Sequence, residues 1–235
     1  MAAVVTLWFT RTYNSNKTST AGPGSSNPSY LPFSQGWTHS YNMKLIANDY
    51  GQYPNYDATL APENQNNLTS SISYIDERGG ESNYLLDDSN RSTQPVSPHA
   101  RFDGLVLDSP SNGLHTITHA NGVRYIFDSQ GANMRAPGTI ARLHRIEDPY
   151  GQQLNFAYES GRLVSITDNL GLSGRTGLRL EYHTGTDAGR LRYLRDWTGR
   201  QWEYRYTDGQ LSSVVNPLGD EMSYSYVSGT HLLRE

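Results

Sequence analysis

The stretch RIEDPYGQQLNFAYESGRL, residues 145–163, holds the pattern that decides the fold. It contains a strand-like piece, an Asp-Pro-x-Gly turn, a strand that alternates aromatic with polar residues, and a second glycine turn. Aspartate at the first turn position accepts backbone N–H bonds, proline presets φ at the next, and the glycine supplies a left-handed conformation. A type I turn followed by a left-handed glycine is a G1-bulge hairpin connection, so the stretch predicts one β-hairpin.

The same pattern returns three more times along the chain. The leucines that open the four units lie 20, 28 and 20 residues apart, and the long unit keeps every landmark. We interpret the turn residues and the aromatic residues of each unit as structural. The opening leucines are Leu143, Leu163, Leu191 and Leu211; the turn residues are Asp148, Gly151, Asp168, Gly171, Asp196, Gly199, Asn216 and Gly219; each unit ends at Gly161, Gly189, Gly209 or Gly229.

The returning strand of each unit alternates with a period of two, which indicates a strand rather than a helix. Leu154, Phe156 and Tyr158 fall on one face, and polar residues fall on the other. Later units repeat this with Trp202, Tyr204 and Tyr206, then with Met222, Tyr224 and Tyr226, while Tyr182 holds the tyrosine position of the long unit.

Weaker copies of the unit lie upstream, and no 3.6-residue apolar period extends over ten residues. One copy runs through Leu114, Ile117, Gly122, Tyr125 and Phe127, and an earlier one through Tyr74, Asp76, Gly79, Tyr84 and Leu86. The sequence therefore predicts an all-β chain of tandem antiparallel hairpins. The N-terminal stretch from Val4 to Thr12 predicts a further strand.

Composition excludes several classes of function. The net charge is −4 and the isoelectric point is about 6.0, so nothing suggests a nucleic acid or an anionic membrane as partner. Cysteine is absent, which removes disulfides, thiolate metal sites and a cysteine nucleophile. The N-terminus has neither the cationic region of a signal peptide nor an apolar run long enough to insert into a membrane.

The repeated unit I-x-D-P-x-G…F-x-Y…G-x-L resembles the tyrosine-aspartate (YD) repeat of Rhs proteins, which toxin-complex C proteins and teneurins share. The segments FTRTYNSNKT (9–18) and GWTHSYNMKL (36–45) resemble the lead-in that introduces the repeats in Rhs and wall-associated-protein-like chains. The resemblance covers about residues 7–45 and 70–235. It divides the chain into a lead-in with long loops (1–69), degenerate YD-type hairpins (70–141) and four YD repeats, the last incomplete (142–235).

Membership of this family implies strands that wind into a spiralling sheet and a hollow β-shell. In the family that shell encloses a polymorphic C-terminal toxin, delivered by type VI secretion, cell-surface display or a toxin complex. The resemblance thus implies a secreted or cell-surface bacterial location. It also implies that the partners are the remainder of a longer repeat chain and its toxin.

The chain departs from the full family pattern in what it lacks. Family shells need many more repeats, and the P-x-x-x-x-D-P-x-G-L junction before the toxin is absent, so its self-cleaving aspartate corresponds to no residue here. We expect the opening part of a shell or a short stand-alone relative.

No catalytic residue, cofactor or metal site is predicted. His115 and His119 form H-x-x-x-H, which on a helix could hold zinc, but four residues of a strand span about 13 Å, too far for one ion. His119 also stands at the turn-aspartate position of its unit. The turn aspartates could be imagined as acid/base groups or calcium ligands, but their shared place at the first turn position favours turn stabilisation. An enzyme remains the last-ranked hypothesis.

Exposed aromatic residues offer a binding hypothesis as the alternative to a purely structural role. Trp37 and Trp197 could stack on sugar rings of a glycan or on a cell-surface receptor, whereas Trp202 lies on the tyrosine face, where packing is favoured. Open sheet edges tend to pair with more sheet, so an isolated module is also expected to self-associate unless its edges are capped.

Overall fold

A computed structural model describes residues 7–15, 32–48, 70–86, 113–119, 121–134, 136, 138–169 and 177–234. The long loops predicted for the lead-in, and the predicted turn residue Gly171, lie outside these ranges. The described residues fall into two compact units. The first takes in Tyr41–Gln153, and the second takes in Thr6–Ser40 and Leu154–Glu235.

The predicted all-β fold of tandem antiparallel hairpins is confirmed. The strands are β1 (Arg11–Tyr13), β2 (Trp37–His39), β3 (Lys44–Asn48), β4 (Ser70–Ile75), β5 (Glu81–Leu86), β6 (Leu114–Thr118), β7 (Arg124–Asp128), β8 (Ile140–Glu147), β9 (Gln153–Glu159), β10 (Arg162–Asp168), β11 (Leu178–Tyr182), β12 (Leu191–Asp196), β13 (Gln201–Thr207), β14 (Gln210–Val215) and β15 (Glu221–Ser223). A 3-10 turn over Gly185–Asp187 lies between β11 and β12, and no α-helix occurs in the described ranges.

The first unit is built from β3 to β8. The two weaker repeats form the hairpins β4–β5 and β6–β7, as their spacing predicts. Strand β8 pairs with β7 over residues 142–147 and with β3 over residues 140–142, and β3 also pairs with β4. Apolar side chains from these strands form the core, in which the rings of Tyr74 and Phe127 meet edge to face with centroids 6.0 Å apart.

The second unit contains the meander β9–β10–β11–β12–β13–β14–β15, in which each strand pairs antiparallel with the next. The predicted alternation holds in β9, where Leu154 and Phe156 are buried and Ala157 is exposed. The alternation in the sequence does not lead to burial for Met222, which is 57% exposed. The reason is that β15 has only three residues and all of them are exposed.

The lead-in contributes a separate two-stranded sheet, in which β1 pairs with β2. The prediction of one strand from Val4 to Thr12 is confirmed for Arg11 and Thr12 and is wrong for residues 7–10. Residues 7–10 are not in a strand, because pairing is confined to Arg11–Tyr13 opposite Trp37–His39. The three segments predicted from sequence are defined by the kind of repeat, and their boundaries do not coincide with those of the compact units. Within the lead-in, Thr6–Ser40 belongs to the second unit and the residues from Tyr41 onward belong to the first.

Candidate functional site: the repeat units and the lead-in hairpin

The turn of a repeat unit is closed by the side chain of its first residue. Asp148 Oδ1 accepts hydrogen bonds from the backbone N–H of Tyr150 at 2.8 Å and of Gln152 at 2.9 Å. The backbone N–H of Gly151 donates to the Asp148 carbonyl at 3.1 Å, and the φ of Gly151 is 83°. This geometry is a type I turn followed by a left-handed glycine, the G1-bulge connection.

The same bonds recur in three other turns. The side-chain oxygens of Asp76, Asp196 and Asn216 each accept the N–H groups two and four residues further on, at 2.7–3.0 Å. Gly199 and Gly219 have φ values of 87° and 90°. Asp168 is exposed at the end of β10, and the rest of its turn lies outside the described residues.

Asp196 has the largest set of donors among these turns. Thr198 Oγ1 donates to it at 2.7 Å and Arg200 Nε at 2.6 Å, in addition to the two backbone bonds. Burial alone would raise the pKa of Asp196, but the hydrogen bonds from Thr198 and Arg200 outweigh burial and hold this pKa below its ordinary value. These contacts stabilise the turn.

The two histidines of H-x-x-x-H lie in one hairpin of the first unit. His119 stands at the first turn position, where its carbonyl accepts the N–H of Gly122 at 2.8 Å. His115 is buried, with its Nε2 3.3 Å from Ser129 Oγ, and burial lowers the pKa of both histidines. No group of three or more metal-ligating side chains occurs within the described part of the chain.

The repeat tyrosines make a contact that sequence reasoning missed. In three units the hydroxyl donates to the carbonyl of the leucine that opens the same unit. The bonds run from Tyr182 to Leu163 at 2.7 Å, from Tyr206 to Leu191 at 2.8 Å and from Tyr226 to Leu211 at 2.7 Å. The available signal was the spacing, since the tyrosine lies 15 residues after its leucine in every unit except the long one. Tyr158 in β9 is half-buried.

Tyr182 and Tyr206 are half-buried, and Tyr204 is buried. Burial raises the pKa of Tyr182 and of Tyr206 well above the ordinary tyrosine value, and raises the pKa of Tyr204 to about 12. The arginine that precedes an opening leucine lies over the tyrosine ring of the same unit, with Arg162 5.9 Å from the Tyr182 centroid and Arg190 5.7 Å from that of Tyr206.

A β-bulge follows the opening leucine in every repeat unit of this region. One extra residue on the leucine-bearing strand has no partner on the neighbouring strand. This occurs opposite Ile126/Phe127 in the first compact unit and opposite Arg205/Tyr206 in the second compact unit. Bulges increase the local right-handed twist of a strand pair. The extra residues are His144, Val164, Arg192 and Ser212.

In the second unit, β1, β2 and residues 32–36 pack against the repeat strands; we call them the lead-in hairpin. The Leu191 N–H donates to the carbonyl of Pro32 at 2.6 Å, and the Leu211 N–H donates to Ser34 Oγ at 3.0 Å. Phe33 is buried with its ring 5.2 Å from that of Tyr204. The lead-in hairpin thus supplies hydrogen-bond acceptors for the backbone N–H groups of two successive opening leucines, next to the bulges.

Trp37 belongs to this packing and not to an exposed surface. It is 6% exposed, its Nε1–H donates to the hydroxyl of Tyr226 at 2.9 Å, and its ring lies 4.7 Å from that of Tyr224. A stacking role for Trp37 needs an open ring face, so the structure removes it as a ligand-stacking candidate. The prediction was wrong because it treated the lead-in as exposed loop.

The face of the meander opposite the repeat tyrosines carries charged pairs, while Trp202 lies on the tyrosine face of β13 and Trp197 lies in a turn. Arg195 pairs with Glu181, and Arg205 pairs with Glu203 at 2.8 Å. Trp202 is half-buried, with the Arg200 guanidinium 6.0 Å from its ring centroid. Trp197 is 52% exposed at the second turn position, where its ring is accessible.

Strand β15 is the last strand of the meander, and within the described residues it pairs only with β14. Met222 in the strand and Leu218 in the preceding turn are both exposed. Unpaired strand edges with exposed apolar side chains are suited to pairing with more sheet.

In the described ranges no helix has the length and apolar character of a membrane span.

Comparisons with known proteins give little beyond these contacts. No protein-family model matches the chain, and no curated protein matches it. A crystal structure of TcdB2-TccC3-Cdc42 matches with 12% sequence identity and a TM-score of 0.21. That match covers 70% of this chain and 14% of the other, so the chain spans about one seventh of the length of the protein it matches.

Proposed function

We propose that the chain is a non-catalytic wall module of an Rhs-type YD-repeat protein. In this proposal its hairpins form part of a β-shell that encloses and delivers a C-terminal toxin. Its partners are then further repeats of the same polypeptide and the enclosed domain, and it acts outside the cell that makes it, secreted or displayed on the surface.

The observation that supports the proposal is the identity of contacts from unit to unit. The side-chain bonds in the turn, the tyrosine hydroxyl on the opening leucine and the bulge after that leucine recur with nearly the same distances. Units that are alike in their backbone contacts add to one another in the same geometry. A repeated unit whose recurring side-chain contacts close its own turn and its own strand pair builds an extended surface, which is what a wall requires.

Limited proteolysis of the natural polypeptide tests this proposal. If the repeats form a closed wall, a C-terminal domain remains intact in native buffer at protease concentrations that degrade it completely after mild urea treatment. Turn variants such as Asp148→Ala and Asp196→Ala, made together, lower the urea concentration at which that protection is lost. A C-terminal region cut as fast in native buffer as in urea would reject the container.

A second candidate function is supported by the exposure of Trp197, 52% at a turn. We propose as the alternative that this ring stacks on a glycan or on a cell-surface receptor. Trp197→Ala should then abolish saturable binding on a glycan array while the urea midpoint stays unchanged. The matched control is Tyr150→Ala, since Tyr150 is also exposed, at a turn of the first unit. Equal binding by both variants and the unsubstituted protein would reject the glycan site.

A further inference from the structure

Three repeat units follow one rule for the hydroxyl of their tyrosine. In each, the hydroxyl donates to the carbonyl of the residue that lies two positions after a unit-ending glycine. These acceptors are Leu163 after Gly161, Leu191 after Gly189 and Leu211 after Gly209. The rule therefore locates an acceptor carbonyl wherever a unit begins.

A fifth unit begins within the chain. Gly229 has a φ of 72°, and the residue two positions later is His231. Residues 232–234 fold back on the preceding strand, with a bridge between Tyr226 and Leu233, and the Arg234 N–H donates to the Ser225 carbonyl at 2.9 Å. His231 thus holds the opening-leucine position. The usual 15-residue spacing would place the tyrosine of this unit after Glu235.

The His231 carbonyl nevertheless accepts a hydrogen bond from a tyrosine hydroxyl. Tyr13, in β1, donates to it at 2.8 Å, and the Leu233 N–H donates to the same hydroxyl at 3.2 Å. The distance from Tyr13 to His231 matches the three bonds inside the repeat units, although 218 positions separate the two residues in sequence.

The rest of the lead-in hairpin is in register with the same series of units. Pro32 accepts the N–H of Leu191, Ser34 accepts that of Leu211, and Trp37 bonds to the tyrosine of the Leu211 unit. The ring of Tyr13 lies 5.4 Å from that of Trp37, so Tyr13 is one step further along this series. The contact of Tyr13 with His231 therefore follows the contacts that the lead-in hairpin makes at Leu191 and Leu211, in the same order along the repeat units.

We propose that Tyr13 occupies the acceptor carbonyl that the rule assigns to the tyrosine of the fifth unit, so that the lead-in hairpin caps the fourth repeat unit. The surface that it covers, at His231 and Leu233, is the docking site for the next YD hairpin. The binding partner is a repeat tyrosine whose hydroxyl replaces that of Tyr13. This inference rests on the proposed function in taking a further YD unit as the competitor.

Residue-resolved hydrogen exchange on the 235-residue chain tests the capping contact. Tyr13→Phe keeps the ring and removes the hydroxyl, and with it both the bond to the His231 carbonyl and the bond accepted from the Leu233 N–H. Exchange at the amides of Val227, Leu233 and Arg234 should therefore accelerate about tenfold. Tyr206→Phe is the matched control, because it removes the same group from an earlier unit. It should accelerate exchange near Leu191 and leave these three amides unchanged. Unchanged exchange in Tyr13→Phe would overturn the cap.

An extended chain tests the identity of the partner. A copy of residues 215–230 joined after Arg234 places a tyrosine 15 positions beyond His231. In that chain Tyr13→Phe should no longer accelerate exchange at Leu233, and changing the added tyrosine to phenylalanine should restore the tenfold sensitivity. The inference is overturned if the extended chain stays as sensitive to Tyr13→Phe as the original. The length of the natural polypeptide decides the proposed function separately, so the two failures are distinguishable.

Discussion

Removing one repeat hydroxyl should weaken the second unit by a predictable amount. Tyr206 donates to the Leu191 carbonyl at 2.8 Å, and Leu191 is completely buried. Tyr206→Phe keeps the ring, including its contact with Arg190, and removes only the O–H group. The carbonyl then loses a donor in a place that water does not reach, which costs about 1–3 kcal/mol of unfolding free energy.

Urea titration followed by tryptophan fluorescence measures this loss where it occurs. All four tryptophans, Trp8, Trp37, Trp197 and Trp202, belong to the second unit, so their emission reports that unit alone. The midpoint should fall while the m-value stays constant, since the surface exposed on unfolding is unchanged.

Tyr193→Phe is the matched control for this measurement. Tyr193 lies on the charged face, with the guanidinium groups of Arg192 and Arg195 at 4.7 and 5.3 Å from its ring centroid. Loss of its hydroxyl should change stability by no more than about 0.5 kcal/mol, as for most substitutions away from the core. An equal loss in both variants would refute the claim that the hydroxyl bond to the leucine carbonyl, rather than the ring, distinguishes the repeat tyrosines.

Three further predictions concern the turns. Asp148→Ala removes the acceptor of two backbone N–H groups at a residue that is 2% exposed, so it should cost about 1–3 kcal/mol in a urea titration, while Asp148→Asn keeps the acceptor and should cost much less. Gly122→Ala should cost more than Gly199→Ala when their thermal midpoints are compared: both have φ above 80°, but a Cβ at Gly122 would lie 2.8 Å from Pro149 Cγ and one at Gly199 meets nothing within 4 Å. The pKa of Asp196 is lowered in the folded state, so its carboxylate stabilises the folded protein above the unfolded pKa, and this contribution is lost as pH falls through the folded pKa. The free energy of unfolding of Asp196→Asn should therefore differ from that of the unsubstituted protein at neutral pH and converge with it in acid. A difference that stays constant across pH would contradict the assignment.

The hairpins and their turns could be predicted from sequence because the information for them is local. An aspartate or asparagine, a left-handed glycine three residues later and a period-two strand lie within a few positions of one another, and each acts on its own backbone neighbourhood. Even the degenerate unit through Asp76 and Gly79 therefore forms the expected hairpin.

The remaining features could not be predicted because they depend on distant partners. The extra residues at the bulges, among them His144, Arg192 and Ser212, share no chemistry, so no pattern marks them. Trp37 was expected to be exposed, but its partners Tyr224 and Tyr226 lie nearly 190 residues away in the sequence. Met222 follows the apolar alternation yet is exposed, because an apolar position becomes buried only where another strand or segment covers it.

The most direct measurement of the central claim is the length of the natural polypeptide, read by sequencing the native locus beyond the codon for Glu235 and by intact mass of the protein from its source. A wall module predicts further YD units in the same reading frame, ending in a variable domain, and a mass several times the 26.3 kDa of these residues. A stop codon shortly after Glu235, with a matching intact mass, would contradict the container and leave a self-capped repeat sheet whose ligand is sought at Trp197.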